Sequence, residues 1–126
     1  MKATFDDSKP IFQQIADMIS DDIIEGSLTE GDKLPSTTDL STFYQINRAT
    51  AQKGLASLVD KDLIYKQRGV GMFVQRGAKK RLLDERKQAF FVSYIKPMLN
   101  EAKRIQLTDT EVIDFIKKKD ERTDNE

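Results

Sequence analysis

Residues 34–74 read LPSTTDLSTFYQINRATAQKGLASLVDKDLIYKQRGVGMFV, and this stretch decides the fold. Its order predicts a short helix capped by Ser36, a turn, a second helix that opens at Asn47, and two brief alternating runs joined through Gly69 and Gly71. A β-hairpin that follows two such helices is a wing, and a winged helix-turn-helix places its second helix in a DNA groove. We therefore expect this stretch to bind DNA.

Local signals mark where the two helices begin. Asp39 stands three residues after Ser36, which is a variant of the capping box, and Asn47 is expected to cap the second helix. Leu40 and Phe43 are both predicted to face the core from the first of these helices.

The second helix is predicted to keep polar residues at its start and apolar residues behind them. Arg48 can donate two hydrogen bonds to guanine, Gln52 can pair with adenine, and Thr50 can reach a phosphate or a thymine methyl group. The positive dipole end of the helix also favours phosphate. An ordinary amphipathic helix with a solvated polar face is the alternative interpretation. The candidate DNA contacts here are Asn47, Arg48, Ala49, Thr50, Gln52 and Lys53, and the predicted core face is Ala51, Leu55, Leu58 and Val59.

Residues 63–67 and 72–75 alternate apolar and polar side chains, as the two strands of a wing do. Arg68, Gly69, Val70 and Gly71 are predicted to form the turn between them, and Gly69 and Gly71 are candidate DNA contacts together with Lys66 and Arg68. Arg68 at the tip, flanked by Lys66, is placed for a minor-groove or phosphate contact. A nucleotide phosphate loop is disfavoured, because the remaining glycine and the Lys-Ser/Thr pair of that motif are missing.

The formal net charge is zero, but the charge is segregated along the chain. Residues 1–32 hold 2 basic and 8 acidic residues, residues 33–81 hold 10 and 3, and residues 82–126 hold 9 and 10. The net charges are therefore −6, +7 and −1. Affinity for a polyanion follows local charge, so the +7 segment strengthens the prediction of DNA binding.

Residues 11–26 are predicted to form a first helix that faces the core. Ile11, Ile15, Ile19 and Ile23 recur at a spacing of four, and Gly26 is expected to end the helix. Its other face is acidic, which suggests either a solvated surface or a hydrolytic or divalent-metal site. We favour the solvated surface, since no histidine and no second cluster accompany the carboxylates. These residues are Asp17, Asp21, Asp22 and Glu25.

The composition argues against most catalytic classes. The chain contains neither cysteine nor histidine, which removes the usual catalytic thiol, the commonest general base and the commonest transition-metal ligands. We expect no catalytic residue, no metal site and no cofactor. No apolar run approaches the roughly 18 residues of a membrane span, and the first residues lack a signal-peptide pattern, so a soluble, cytoplasmic protein is expected.

Four segments within residues 10–74 carry a family resemblance: PIFQQIAD, GDKLPS, NRATAQKGL and RGVGMFV. Together with the residues between them, they cover about half of the chain. They resemble the N-terminal winged helix-turn-helix of GntR-family bacterial transcription regulators, and NRATAQKGL with the short tail resembles the YtrA subfamily. The resemblance implies a homodimeric regulator, usually a repressor, on a pseudo-palindromic operator near genes that often encode ABC transporters. It also implies DNA contacts at Ser36, Arg48, Thr50, Gln52, Arg68 and Gly69.

Three positions depart from the family pattern. Thr37 and Thr38 stand where many members carry an acidic-basic pair, so an arginine contact is missing there. Gln52 stands where other subfamilies place arginine, so their operator sequence does not transfer. Asp62 occupies a position that is usually glycine and implies a local turn preference.

Residues 82–105 show a helical pattern that Pro97 is expected to kink or divide near Lys96. The preceding residues 76–81 are read as a basic linker that either contacts phosphates or stays solvated. Thr108 and Glu111 form a second capping box that opens a final helix, and residues 117–126 are expected to fray.

The terminal helices carry more large apolar side chains than a complete winged domain can cover. A second copy of the chain would cover them, and a two-fold dimer would hold two recognition helices about one DNA turn apart, roughly 34 Å. A small-molecule effector pocket lined by Phe90, Phe91, Tyr94 and Met98 is the alternative. The predicted dimer contacts are Phe90, Phe91, Tyr94, Met98, Val112, Phe115 and Ile116.

We therefore expect a mostly α-helical chain with a small β-hairpin. Residues 1–76 form the winged helix-turn-helix domain, and residues 77–126 supply a linker and dimerisation helices. The expected function is that of a sequence-specific DNA-binding regulator, without enzymatic activity and without a membrane partner. The alternative is a winged-helix protein-interaction or architectural module that has no specific operator.

Overall fold

A computed structural model of the chain describes residues 4–118. Their elements follow in the order α1 (Ile11–Glu25), α2 (Thr37–Tyr44), α3 (Arg48–Asp60), β1 (Ile64–Gln67), β2 (Gly71–Val74), α4 (Ala78–Phe90), a π-helical turn (Phe91–Ile95), α5 (Lys96–Arg104) and α6 (Asp109–Lys117). The expected fold class, mostly helical with a two-stranded antiparallel hairpin, is confirmed. The fraying predicted for the C-terminal tail falls largely on residues 119–126, which lie outside the described residues.

The core forms because α1 and α3 lie against each other with their apolar faces inward. Ile15 is completely buried and Leu55 is 1% exposed. Gly54 allows the close approach, since a Cβ atom added there would lie 2.9 Å from the backbone oxygen of Phe12. The core cluster consists of Ile15, Ala16, Ile19, Ile23, Leu34, Leu40, Ala51, Leu55, Leu58, Leu63, Ile64, Val74, Ala78 and Leu82.

The hairpin is joined to this core through one end of each strand. Ile64 of β1 pairs with Val74 of β2, and both side chains are buried. The loop before α2 adds to the edge of β2, where the Leu34 N–H donates a hydrogen bond to the Met72 carbonyl at 2.8 Å. The wing is therefore held by the core at its base and by backbone pairing along its edge.

Phe43 does not face the core, and that part of the α2 prediction is wrong. Leu40 is 2% exposed, whereas Phe43 is 72% exposed and lies edge-on to Tyr44 with ring centroids 4.8 Å apart. Tyr44 instead packs inward, with its ring 4.9 Å from that of Phe5. Residues four apart share a helix face more closely than residues three apart in this geometry, so Tyr44 rather than Phe43 aligns with Leu40.

α4 begins inside the segment that was expected to be a linker. Ala78 is completely buried and Leu82 is 5% exposed, and both belong to the core cluster. The Arg81 guanidinium donates a hydrogen bond to the Asp62 backbone oxygen at 2.8 Å. The first turns of α4 are thus packed structure, because two apolar residues at helical spacing reach the core.

The described residues form two compact units, the first ending at Glu85 and the second beginning at Arg86. This division lies after the expected boundary at residue 76, because Ala78 and Leu82 join the first core. We refer to these as the first unit and the second unit.

In the second unit the helix widens by one residue ahead of Pro97. In the π-helical turn the Lys96 N–H donates to the Phe91 carbonyl, five residues back. Pro97 has no N–H to donate, and its ring crowds the carbonyl of Ser93 four residues back, so a wider turn accommodates it. The predicted division near Lys96 is confirmed, since α5 begins at that residue.

The second capping box is confirmed at the start of α6. The Glu111 N–H donates to the Thr108 hydroxyl oxygen at 3.2 Å, and the Thr108 N–H donates to the Glu111 carboxylate at 3.1 Å. Val112, expected at a dimer contact, is only 9% exposed and lines a groove shared with Ala102 of α5. Most of its side chain is therefore covered within the second unit, and its role as a dimer contact stays a prediction.

None of the helices within residues 4–118 combines the length and apolar character that crossing a bilayer requires.

Candidate nucleic-acid interface

Asn47 closes the N-terminal end of α3. Its side-chain Oδ1 accepts a hydrogen bond from the Ala49 backbone N–H at 2.7 Å, and the predicted cap is confirmed. The acceptor oxygen of Asn47 is therefore occupied within the helix. Its amide NH₂ group can donate hydrogen bonds outward.

α3 presents Arg48 and Gln52 on its exposed side. Both side chains are exposed, and their spacing of four places them on one face of the helix. Thr50 is half-buried between this face and the core. Behind them the predicted core face is confirmed, with Ala51, Leu55 and Leu58 buried and Val59 partly buried.

A tight closure at the end of α3 leads directly into the wing. Asp62 has φ of 58°, in the left-handed region that aspartate tolerates better than most residues. Its N–H donates to the Val59 carbonyl at 2.9 Å, and the Leu63 N–H donates to the Leu58 carbonyl at 3.0 Å. This is a Schellman arrangement, which confirms the turn preference expected of Asp62 and sets the direction in which β1 leaves α3.

The start of α2 carries a complete capping box. The Asp39 N–H donates to the Ser36 Oγ at 3.0 Å, and the Ser36 N–H donates to the Asp39 carboxylate at 3.1 Å. The bond from the Ser36 N–H, then that from its hydroxyl, hold the pKa of the Asp39 carboxyl below its usual value, and the charge of Lys33 adds a smaller effect. Ser36 thus caps α2 at the helix end that attracts phosphate.

The tip of the wing is a short turn through Arg68, Gly69 and Val70. The Val70 N–H donates to the Gln67 carbonyl at 3.0 Å, and Gly69 has φ of 77°. Gly71 belongs to β2 rather than to the turn, and its φ of 148° also favours glycine. The two glycines therefore let a compact tip carry an exposed arginine.

The exposed cations of this surface are available for anions. Arg48, Lys66 and Arg68 are exposed, and no carboxylate of residues 4–118 lies within ion-pair distance of them. Lys53 differs, because its ammonium lies 4.2 Å above the centre of the Phe12 ring. This cation–π contact ties Lys53 to α1 in addition to the DNA contact predicted for it.

Lys33 belongs to the same basic surface, although it was not among the predicted contacts. It pairs with Phe73 at the edge of the wing, and its side chain runs so close to Gly71 that an added Cβ would lie 2.8 Å from the Lys33 Cε. Its charge also acts on Asp39 at the start of α2. The available signal was its position as the first residue of the +7 segment.

The acidic face of α1 gathers no ligand set. Among the residues that the structure describes, no three acidic side chains come close enough together to hold a metal ion. Lys9 forms an ion pair with Asp17 at 2.9 Å, as a solvated surface allows.

Comparison of the sequence with known proteins identifies regulators of transcription. A sequence model described as "Bacterial regulatory proteins, gntR family" matches residues 11–74. The uncharacterized HTH-type transcriptional regulator YhcF of Bacillus subtilis (strain 168) is 30% identical over 117 residues, which cover 93% of this chain and 95% of YhcF. The HTH-type transcriptional repressor YtrA of the same organism is 30% identical over 95 residues, covering 75% of this chain and 72% of YtrA.

Solved structures extend the likeness over both units and to a DNA complex. A GntR family transcriptional regulator from Listeria monocytogenes matches with a TM-score of 0.66 and 31% identity, covering 90% of this chain and 98% of that one. The structure of AraR(DBD) in complex with operator ORX1 matches with a TM-score of 0.54 and 26% identity, covering 59% of this chain and 95% of that one.

Proposed function

This chain belongs to the gntR family of bacterial regulatory proteins, and we propose that it acts as a homodimeric repressor on a pseudo-palindromic operator. In this proposal α3 reads bases, the wing and the start of α2 contact phosphate or the minor groove, and the second unit forms the dimer. Membership of the YtrA-like subfamily and control of a transporter operon belong to the same proposal. They rest on the 30% identity to YtrA and on the resemblance of the segment NRATAQKGL.

The observation that carries the DNA-binding surface is the arrangement of α3. Arg48 and Gln52 are exposed on one face near the capped end, while Ala51 and Leu55 on the opposite face are buried. A helix held in this way presents its first turns to base edges and its positive end to phosphate. Arg68 on the wing adds a cation without a carboxylate partner among the described residues.

The dimer is supported by the apolar surface of the second unit. An aromatic side chain buries ~150–250 Å² when fully covered, so a half-exposed one leaves roughly 100 Å² uncovered. Four half-exposed aromatic side chains therefore leave roughly 400 Å² per copy, and six other exposed apolar side chains add to this area toward the ~800 Å² that each partner buries in a stable interface. These side chains are Phe90, Phe91, Val92, Tyr94, Met98, Leu99, Ile105, Ile113, Phe115 and Ile116.

Replacement of Arg48 by alanine tests the base-reading role. Operator fragments selected from the source genome serve as the DNA, and we expect Arg48→Ala to weaken specific binding by roughly 1–3 kcal/mol. Arg104→Ala is the matched control, because Arg104 is also an exposed arginine, lies on α5 and has Glu101 as its ion-pair partner. Equal operator affinity of the Arg48→Ala variant and the wild type would refute this role.

Salt dependence tests the phosphate contacts. Neutralised phosphates release counterions, so the logarithm of the affinity should fall linearly and steeply with the logarithm of salt concentration between about 50 and 200 mM. Replacing Arg68 should reduce that slope by about 1 if this side chain contacts phosphate. A flat plot for the wild type would favour a winged helix that binds a protein partner instead of DNA.

A further inference from the structure

We propose that the first unit carries a second binding site, a cavity at the C-terminal end of α1 that takes a small molecule with an apolar body and a carboxylate. The cavity measures about 340 Å³, which lies at the lower end of the ~300–1,000 Å³ found for small-molecule sites. It is lined by Ile23, Gly26, Leu28, Thr29, Glu30 and Lys79.

The inner wall of the cavity is apolar and ordered by the core. Ile23 is 1% exposed and belongs to the core cluster, and Leu28 packs against that cluster. Gly26 adds no side chain, and no atom lies within 4 Å of the point where its Cβ would be. An apolar body of modest size therefore meets a fixed surface of two aliphatic side chains with open space beside them.

The cavity is lined by one charge of each sign, Glu30 and Lys79. The Glu30 carboxylate already accepts a hydrogen bond from the Gly77 N–H at 2.7 Å. Lys79 is exposed, and within the described part of the chain no carboxylate lies at ion-pair distance from its ammonium. A carboxylate on the ligand supplies the ion-pair partner that Lys79 lacks among the described residues, whereas the Glu30 carboxylate already has a donor in the Gly77 N–H.

The ligand would rest against the loop that anchors the wing. The Gly31 N–H, next to Glu30, donates to the Val74 carbonyl of β2 at 2.9 Å. Glu30 itself reaches the residue before α4 through Gly77. A ligand in this cavity therefore touches a segment that is hydrogen-bonded both to the wing and to the start of α4.

Titration of the full chain with octanoate, followed by the methyl NMR signals of Ile23 and Leu28, tests the site. We expect saturable shifts of both methyl signals, and about tenfold weaker binding to Lys79→Gln, since a charge-assisted hydrogen bond is lost. Lys80→Gln is the matched control, because Lys80 pairs with Asp84 at 2.8 Å and does not line the cavity. Its octanoate affinity should equal that of the wild type. Octanol should bind to the wild type about as weakly as octanoate binds to Lys79→Gln.

Two results would overturn the proposal. Equal octanoate affinity of the wild type and Lys79→Gln would show that the ammonium does not bind the carboxylate. Shifts confined to Ile113 and Ile116, which are exposed on α6, would place octanoate on the apolar surface of the second unit. Amide spectra of both lysine variants that overlay the wild-type spectrum establish that the fold is retained.

Discussion

The two units of the chain use apolar side chains in opposite ways. In the first unit, fourteen buried apolar side chains pack into one cluster, and four large apolar side chains are exposed among the described residues. The second unit buries Ala102 and Val112 and leaves ten large ones exposed in the same part of the chain. The contrast indicates that the first unit supplies its own folding free energy, whereas the second requires a covering surface, because two buried side chains cannot stabilise three helical segments.

The largest expected effect is the loss of a core side chain in the first unit. Leu55→Ala should lower the free energy of unfolding by about 2–5 kcal/mol, because it leaves a cavity between α1 and α3. Urea denaturation followed by NMR signals of α3 should give this loss at any protein concentration. Gln52→Ala, an exposed substitution in the same helix, should change stability by less than about 0.5 kcal/mol. A loss at Leu55 that grew with dilution would show that the first unit also depends on a partner.

Phe91→Glu tests the other side of the contrast. Phe91 is 52% exposed in the second unit, and a charge placed in the proposed interface should weaken the proposed dimer by about 2 kcal/mol or more, roughly thirtyfold. Sedimentation equilibrium measures the dissociation constant. Phe43→Glu is the control, because Phe43, at 72%, is the most exposed large apolar residue among the described residues of the first unit. If Phe91→Glu left the dimer dissociation constant unchanged, or if Phe43→Glu raised it equally, the interface would not lie at Phe91.

Gly54→Ala probes how closely the first core is packed. Alanine is the better helix former, so an open site would gain stability from this change. Here the added methyl group would meet the Phe12 backbone oxygen at 2.9 Å and Ile15 Cγ2 at 3.2 Å. We expect a loss of about 1–3 kcal/mol in the free energy of unfolding by urea titration. A gain in stability would show that α1 and α3 can separate without cost.

The smallest expected effect comes from the two exposed capping boxes, one in each unit. Hydrogen bonds from the Ser36 and Thr108 backbone N–H groups, and then from their hydroxyls, lower the pKa of Asp39 and of Glu111. A carboxyl whose pKa is lower in the folded state contributes stability above its unfolded pKa and loses it as the pH falls through the folded pKa. Both caps should therefore weaken below about pH 4.

Carboxyl NMR titration measures both midpoints. Ser36→Ala should raise the pKa of Asp39 and leave that of Glu111 unchanged, and Thr108→Ala should do the reverse. If neither substitution moved its partner's midpoint, the hydroxyl groups of Ser36 and Thr108 would not contribute to lowering these pKa values.

Features that depend on neighbouring residues were predictable from the sequence. The caps at Ser36, Asn47 and Thr108 and the turn at Asp62 follow from short-range rules, and the structure has all of them. The same holds for the buried stripe of α3, because its period is set within one helix.

Features that depend on packing between distant segments were not predictable from the sequence. The spacing from Leu40 favours Tyr44 over the adjacent Phe43 as the inward residue, but the aromatic ring that packs on Tyr44, that of Phe5, comes from a distant segment. Ala78 was assigned to a linker because its burial comes from the core of the first unit rather than from its neighbours in sequence. Lys33 reaches the edge of the wing through backbone pairing with Phe73, a residue distant in sequence. The position of Lys53 over Phe12 likewise requires the packing of α3 on α1.

The wide turn at Phe91–Ile95 makes the second unit sensitive to its residue count. Each residue of an α-helix advances about 100° around the axis. Because the turn contains one residue more than an α-helix needs, deleting a residue there would rotate α5 by about that angle relative to the end of α4. The angle around the helix axis between Phe90 and Met98 would then change by the same amount, although the residues of α4 and α5 would be unchanged. In this helix the relative orientation of two apolar stripes is set by a single inserted residue.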